Sequence, residues 1–351
     1  MTSLNASSAP TQGTTVGVIG VGRMGIRHLQ AARQLGMEVV GLADISVDAL
    51  DAACTSHSID RNRGFTDAVA MLRQTRPVAV VVATTAPTHA ELVHSAIETG
   101  VRYVLCEKPM ASSLDQADAL VTASAVRGVK LAVNHQMRFM PQYTQVKEMI
   151  GSEALGPLSG IVVAGSNFGL AMNASHYFEM FRYITGVPAQ TVQAWLEDDL
   201  LPNPRGPQFR DRSGRLIVTA ATGPTMFIDF SAHSGHGLQV VYICRNGQVT
   251  VDELSGDLRV STRKSDFRTL PTSRYGMPAD VSQRVIEPVD TVVPTMRVWS
   301  AMFTGENFPD GYAGRHAMAC LVAAHVSNER GNCVVALDDP TLPTDRIFPW
   351  A

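Results

Sequence analysis

Hydrophobic positions in the first 135 residues fall into short solid runs separated by amphipathic stretches. The runs at 16–19, 38–43, 78–83, 101–105 and 129–133 are apolar almost throughout. That is the pattern of parallel strands covered on both faces. Between them, apolar residues recur at helical spacing. Ile26, Leu29, Ala32 and Leu35 line one face of a helix that stops at Gly36. Ser46 can cap a helix reaching 54, and Thr66 one with Val69 and Leu72 facing inward. A further helix is expected over 88–98, with Gly100 just past its end. Ser113-Leu114-Asp115-Gln116 has the form of a capping box and opens a helix to about 127. With a short strand at Gly64-Phe65, strand and helix alternate throughout, which predicts a doubly wound parallel sheet.

The period changes near residue 135. A helix over 141–151 is followed by alternating strands at 159–163, 191–196, 216–221, 225–231, 239–245 and 248–251. Asn246-Gly247 carries the signal of a tight hairpin. Helices are expected at 176–184 and 311–330, while 200–215 and 262–295, rich in Pro, Arg and Ser, read as loops. The fold class expected is α/β. A leader (1–14) precedes a dinucleotide-type domain (15–135), and an α+β domain with a large, mostly antiparallel open sheet covers 136–351.

Composition narrows the function. The 351 residues are 45% hydrophobic and 17% charged, enough for two real cores. A net charge of −3 offers no basic footprint for nucleic acid. No run of eighteen apolar residues exists, so no membrane span is expected. The first fourteen residues are polar and small, without the basic start and apolar core of a signal peptide. Five scattered cysteines lack metal-ligand spacing and read as free thiols of a reducing compartment. A cytoplasmic protein without a metal site is the expectation.

The candidate chemistry starts at Gly20-Val21-Gly22-Arg23-Met24-Gly25, between a strand and a helix. The first glycine permits the tight turn, the second lets a pyrophosphate approach the backbone, and the third lets helix and strand pack closely. The next strand ends at Asp44, where a carboxylate accepts the ribose hydroxyls. No arginine follows (Ile45-Ser46), so a 2′-phosphate would meet uncompensated negative charge, and NAD is favoured over NADP. Ligands of open parallel sheets bind beyond the carboxyl ends of the strands, which singles out Thr84, Thr85, Glu107, Lys108 and Asn134. The Lys108 ammonium can hold a substrate hydroxyl and help remove its proton.

Together these pieces resemble the glucose-fructose oxidoreductase / inositol dehydrogenase / MocA (Gfo/Idh/MocA) family. The matching segments are the glycine turn, Ala43-Asp44, the stretch from Ala83 to His89, Glu107-Lys108-Pro109, the stretch from Asn134 to Pro141, and the stretch from Ala323 to Gly331. The resemblance implies that Lys108 and His176 face the nicotinamide and the substrate carbon. It implies a cofactor site of Gly20, Gly22, Arg23, Met24, Asp44, Thr84, Thr85, His89, Glu107, Lys108 and Asn134. Arg138, Asn173 and Glu179 join Lys108 and His176 on the substrate side. One departure stands out: where the family places an aspartate four residues before the histidine, this chain has Met172. Methionine cannot orient or charge the imidazole. The expected activity is NAD-dependent hydride transfer with a secondary alcohol or ketone of a sugar, amino sugar, nucleotide sugar or cyclic polyol. A redox-assisted hydrolase or lyase and a non-catalytic dinucleotide sensor stay open beside it. A homodimer or homotetramer through the second sheet is also expected.

Overall fold

The computed structural model describes residues 11–166, 169–198, 202–235, 237–271 and 278–351. The chain forms two compact units. The first comprises residues 1–136, 290–318 and 344–351, and the second 137–289 and 319–343.

In the first unit the order is β1 (Thr15–Ile19), α1 (Arg23–Gln34), β2 (Glu38–Ala43), α2 (Val47–Ser56), β3 (Gly64–Phe65), α3 (Ala68–Thr75) and β4 (Ala79–Val82). It continues with α4 (Ala86–Glu98), β5 (Tyr103–Cys106), α5 (Leu114–Arg127) and β6 (Lys130–Val133). The strands pair in parallel in the order β3-β2-β1-β4-β5-β6. The order reverses between β1 and β4, and that reversal opens a crevice at the carboxyl ends. All four residues of β4 are fully buried, as its unbroken apolar run requires. Ser46 and Ser113 cap α2 and α5 as expected, but α3 is capped by Asp67 rather than Thr66. The Asp67 carboxylate accepts from the N–H of Val69 and of Ala70.

Residues 1–10 of the expected leader lie outside the described residues. Residues 11–14 are ordered against the first unit: the buried Thr11 hydroxyl donates to the Leu35 carbonyl at 2.8 Å, and Gly13 N–H to Gly36. Stretches of the expected second domain also return to the first unit. Helix α8 (Val292–Thr304) packs on α1, placing Val298, Trp299 and Met302 in its core. Its proline stands in the first turn, where the missing N–H is no loss. The closing residues return too, with Phe348 N–H donating to Ser112 and Trp350 stacked on Phe348.

The second unit begins with α6 (Pro141–Met149), β7 (Leu158–Gly165), α7 (Ser175–Thr185), β8 (Thr191–Leu196), β9 (Gly214–Thr219) and β10 (Thr225–Phe230). Then come β11 (Leu238–Cys244), β12 (Gly247–Asp252), β13 (Asp257–Arg263) and β14 (Ala279–Val285), and after α8 the last elements are α9 (Gly311–Glu329), whose residues from 319 on belong to this unit, and β15 (Val335–Ala336). Among the described residues nine strands form one sheet in the order β14-β13-β12-β11-β7-β10-β9-β8-β15, antiparallel except for the β7–β10 pair. Its fourteenth strand lies inside the stretch read as loop. Every residue of β14 is exposed, so it has no apolar face to announce it. On strands such as β8, β9 and β10 alternate residues are buried, and in β10 these are Met226, Ile228 and Phe230.

Candidate functional site

The three glycines of the first turn play different parts. Gly20 has φ +86°, and a Cβ there would stand 2.7 Å from the Ala83 carbonyl. At Gly25 a Cβ would stand 1.8 Å from the Gly20 carbonyl oxygen. Gly22 instead faces open space, with nothing within 4 Å of a Cβ. The protein fills the room beside the first and third glycines and leaves the second clear. That is the fit a pyrophosphate requires, on the N-terminus of α1 where Arg23 and Met24 begin the helix. At the end of β2 the Asp44 carboxylate accepts the Val21 N–H on Oδ2 and the Ser46 N–H on Oδ1, each at 2.9 Å. Both oxygens are held beside the glycine turn and keep lone pairs for a diol.

Thr84 and Thr85 follow β4, half-buried, and the Thr88 hydroxyl donates to the Thr84 hydroxyl at 2.8 Å. His89 is 1% exposed, and its Nδ1 meets the Pro109 carbonyl at 2.8 Å. This places it behind the 107–109 loop, which it braces. The Lys108–Pro109 peptide is cis.

Glu107 is the best-braced group in this unit. Its Oε1 receives His28 Nε2 at 2.7 Å and the Asn134 amide at 2.8 Å, and its Oε2 faces the Lys108 N–H at 3.3 Å. Burial pushes the carboxyl up, but the hydrogen bond and charge of His28, the Lys108 charge and the Asn134 amide outweigh it and hold it at about 2. Asn134 Oδ1 is buried with no hydrogen-bond partner among the described residues, so it stands ready to accept from a bound group. His28 was not among the candidates read from sequence. The available signal was a polar residue on the buried face of α1, beside Gly25, Leu29 and Ala32.

In the second unit His176 is 8% exposed in the first turn of α7. A wide helical turn, Gly169–Ala174, leads into it and carries Met172 and Asn173, both half-buried. Arg138 and Glu179, expected on the substrate side, are instead paired in the interior. Arg138 Nη1 donates to Glu179 Oε1 at 2.9 Å, and Arg182 holds the same carboxylate through Nε and Nη2. Side-chain exposures of 5% and 1% leave the Arg138–Glu179 pair no open face. Buried charges hold only when paired, and here arginine consumes the acid.

Two further carboxylates converge on this helix and were missed from sequence. Asp211 binds the backbone of residues 171 and 172. Glu253 accepts the hydroxyls of Tyr143 and Tyr177, the latter at 2.8 Å. Burial raises the Glu253 carboxyl and the two hydrogen bonds only partly offset it. Among the described residues no cluster of three or more His, Cys, Asp or Glu side chains has the arrangement to hold a metal ion. Among the described residues no helix is long and apolar enough to cross a membrane.

The chain is similar to several known proteins. Residues 14–135 match the Gfo/Idh/MocA profile, described as an oxidoreductase family with an NAD-binding Rossmann fold. A D-apiose dehydrogenase of Paraburkholderia graminis is 28% identical, covering 90% of this chain and 88% of its own length. An inositol 2-dehydrogenase of Paracoccus denitrificans is 26% identical over 93% of this chain and 98% of its own. In fold, an Azotobacter vinelandii inositol dehydrogenase homolog, crystallised with NADH and myo-inositol, superposes with a TM-score of 0.76. It is 16% identical and covers 93% of this chain and 98% of that one. With an NAD-type glycine turn and a held Asp44, residues 14–135 match the NAD-binding Rossmann fold of the Gfo/Idh/MocA oxidoreductase family, and the chain is similar over nine tenths of its length to dehydrogenases named for D-apiose and inositol.

Proposed function

We propose that the protein is an NAD-dependent dehydrogenase that interconverts a secondary alcohol and a ketone on a sugar or cyclic polyol. The carrying observation is the Glu107-Lys108-Pro109 loop at the carboxyl end of β5, braced by His28, Asn134 and His89. Gly20, Gly22, Arg23 and Met24 would hold the pyrophosphate, Asp44 the ribose diol, and Thr84, Thr85 and Asn134 the neighbouring portion. When bound, NAD supplies the acceptor for the hydride.

The chain's own part is orientation and proton management. Lys108 Nζ holds the reacting hydroxyl and takes its proton in the oxidising direction. Its backbone cannot drift, because Glu107 accepts its N–H and is itself pinned from two sides. His176 is the assisting acid or base, and Asn173 offers a hydrogen bond to the substrate. The names of the D-apiose and inositol relatives support a sugar or polyol as the substrate class. Asp44, followed by Ile45 rather than a cation, supports NAD over NADP.

A homo-oligomer built on the open sheet is part of the same reading. Ile217, Phe227, Val162 and Val241 stand side by side across four paired strands, and Phe227 is 45% exposed.

The test is a panel of cyclic polyols, aldoses and nucleotide-linked amino sugars with NAD, read as NADH absorbance. On the compound that turns over, Lys108→Ala is expected to lose roughly 10²–10⁴ in single-turnover rate while NAD affinity stays within a few-fold. Wild-type turnover in that variant removes Lys108 from the chemistry.

A further inference from the structure

The turn that presents His176 has an unusual anchorage. The first N–H groups of a helix have no partner within the helix and must find one elsewhere. Here three consecutive groups are satisfied from one distant segment. Leu170 N–H donates to the Arg212 carbonyl at 2.9 Å, Ala171 N–H to Asp211 Oδ1 at 2.8 Å, and Met172 N–H to Asp211 Oδ2 at 2.8 Å. One carboxylate thus spans two adjacent amides, with a negative charge at the positive end of the helix.

The approach is close enough that a side chain at position 169 would have to displace the Asp211 carboxylate. A Cβ on Gly169 would lie 2.2 Å from Asp211 Oδ2 and 2.5 Å from its Cγ.

The clamp is itself bolted to the sheet. The Arg212 guanidinium donates to the carbonyls of Glu197 and Leu196 and to the Asp198 carboxylate. Glu197 N–H donates to the Ser213 carbonyl, so residues 212–213 ride on the end of β8. Hydrogen bonds thus tie residues 212–213 to the end of β8, and the adjoining Asp211 ties down residues 171–172, one helical turn before His176. From the other side, the Tyr177 hydroxyl on Glu253 fixes the residue next to His176.

We infer that Asp211 is a positioning residue for His176, fixing its helix turn through the backbone of residue 172, where this chain carries methionine instead of an acid. The inference rests on the acid/base reading of His176. In this reading Asp211 acts through the backbone of residues 171 and 172, by setting where the imidazole stands. The carboxylate delivered from residue 211 anchors the turn at the backbone of residue 172.

The experiment uses full-length protein carrying isotope-labelled histidine, with the His176 resonance assigned by its loss in His176→Ala. Asp211→Ala is expected to shift or broaden that resonance while the His28 resonance stays in place. Asp211→Asn, which keeps one accepting oxygen for two amides, is expected to give a smaller change. Gly169→Ala reaches the same contact from the opposite side, and is expected to reproduce the Asp211→Ala spectrum even if that variant folds poorly. An unmoved His176 resonance in the Asp211 and Gly169 variants overturns the inference. A moved resonance combined with wild-type turnover of His176→Ala overturns the acid/base reading instead, so the two failures are told apart.

Discussion

Glu107 offers the sharpest quantitative test, because its ionisation is tied to the fold. Its carboxyl lies at about 2 against an ordinary 4.5. That difference corresponds to roughly 3 kcal/mol in favour of the ionised form in the native state. A lowered folded value contributes stability that is fully present above pH 4.5 and disappears as pH falls towards 2. Glu107→Gln keeps the shape but removes the charge. It also turns either an NH₂ group or a weaker amide oxygen towards His28, Asn134 and the Lys108 N–H. At pH 7 the variant is expected to be less stable by about 3 kcal/mol, the scale of a broken buried ion pair. The assay is urea unfolding of both proteins at several pH values from 7 down to 3, followed by circular dichroism. The gap between them is expected to be widest at neutral pH and to shrink steadily below pH 4.5. A gap that is constant with pH would mean that the Glu107 charge is not what His28 and Asn134 stabilise, and this reasoning fails.

The other predictions concern the cofactor and the sheet. Asp44→Ala is expected to weaken NAD binding and narrow its advantage over NADP, by an amount on the order of 2–4 kcal/mol. Calorimetric titration giving wild-type protein equal affinity for the two dinucleotides refutes the diol role. Gly22→Val places its side chain in open space, so the fold should survive while NAD binding collapses; unchanged affinity would move the pyrophosphate elsewhere. Gly25→Ala meets the Gly20 carbonyl instead and is expected to lower the melting temperature itself, a contrast that thermal unfolding resolves. Phe227→Asp puts a charge in the exposed apolar row and is expected to shift sedimentation towards monomer; an unchanged species removes that face from assembly.

Much of the fold was legible because it is written locally. Runs such as 79–82 have no polar residue to show solvent, and a strand buried on both faces is what they permit. The glycine turn was legible from its spacing between strand and helix, with Asp44 at the end of the adjoining strand, although the Ala83 carbonyl that crowds Gly20 comes from a distant segment. The Asn246-Gly247 signal marked its hairpin, with Cys244 paired to Gly247. Where local pattern was weak, the reading stopped. Strand β14 buries nothing, and α8 starts in a stretch whose proline and arginine content resembles loop.

What only the tertiary structure decided is which charges meet. Glu107 was singled out as a residue at a strand end, but nothing in its neighbourhood names His28, 79 residues earlier, as its partner. Arg138 and Glu179 each carried a family-derived role, yet 41 residues apart in sequence they close on each other and on Arg182. Met172 looked like a lost acid until the fold brought Asp211 to its backbone from a segment read as loop. Periodicity records which side of an element faces water, because burial of apolar area repeats with the element's own geometry. It holds no record of pairing. An ion pair or a carboxylate cap is stabilised by proximity in space and by shared exclusion of water, and those exist only after the chain has folded.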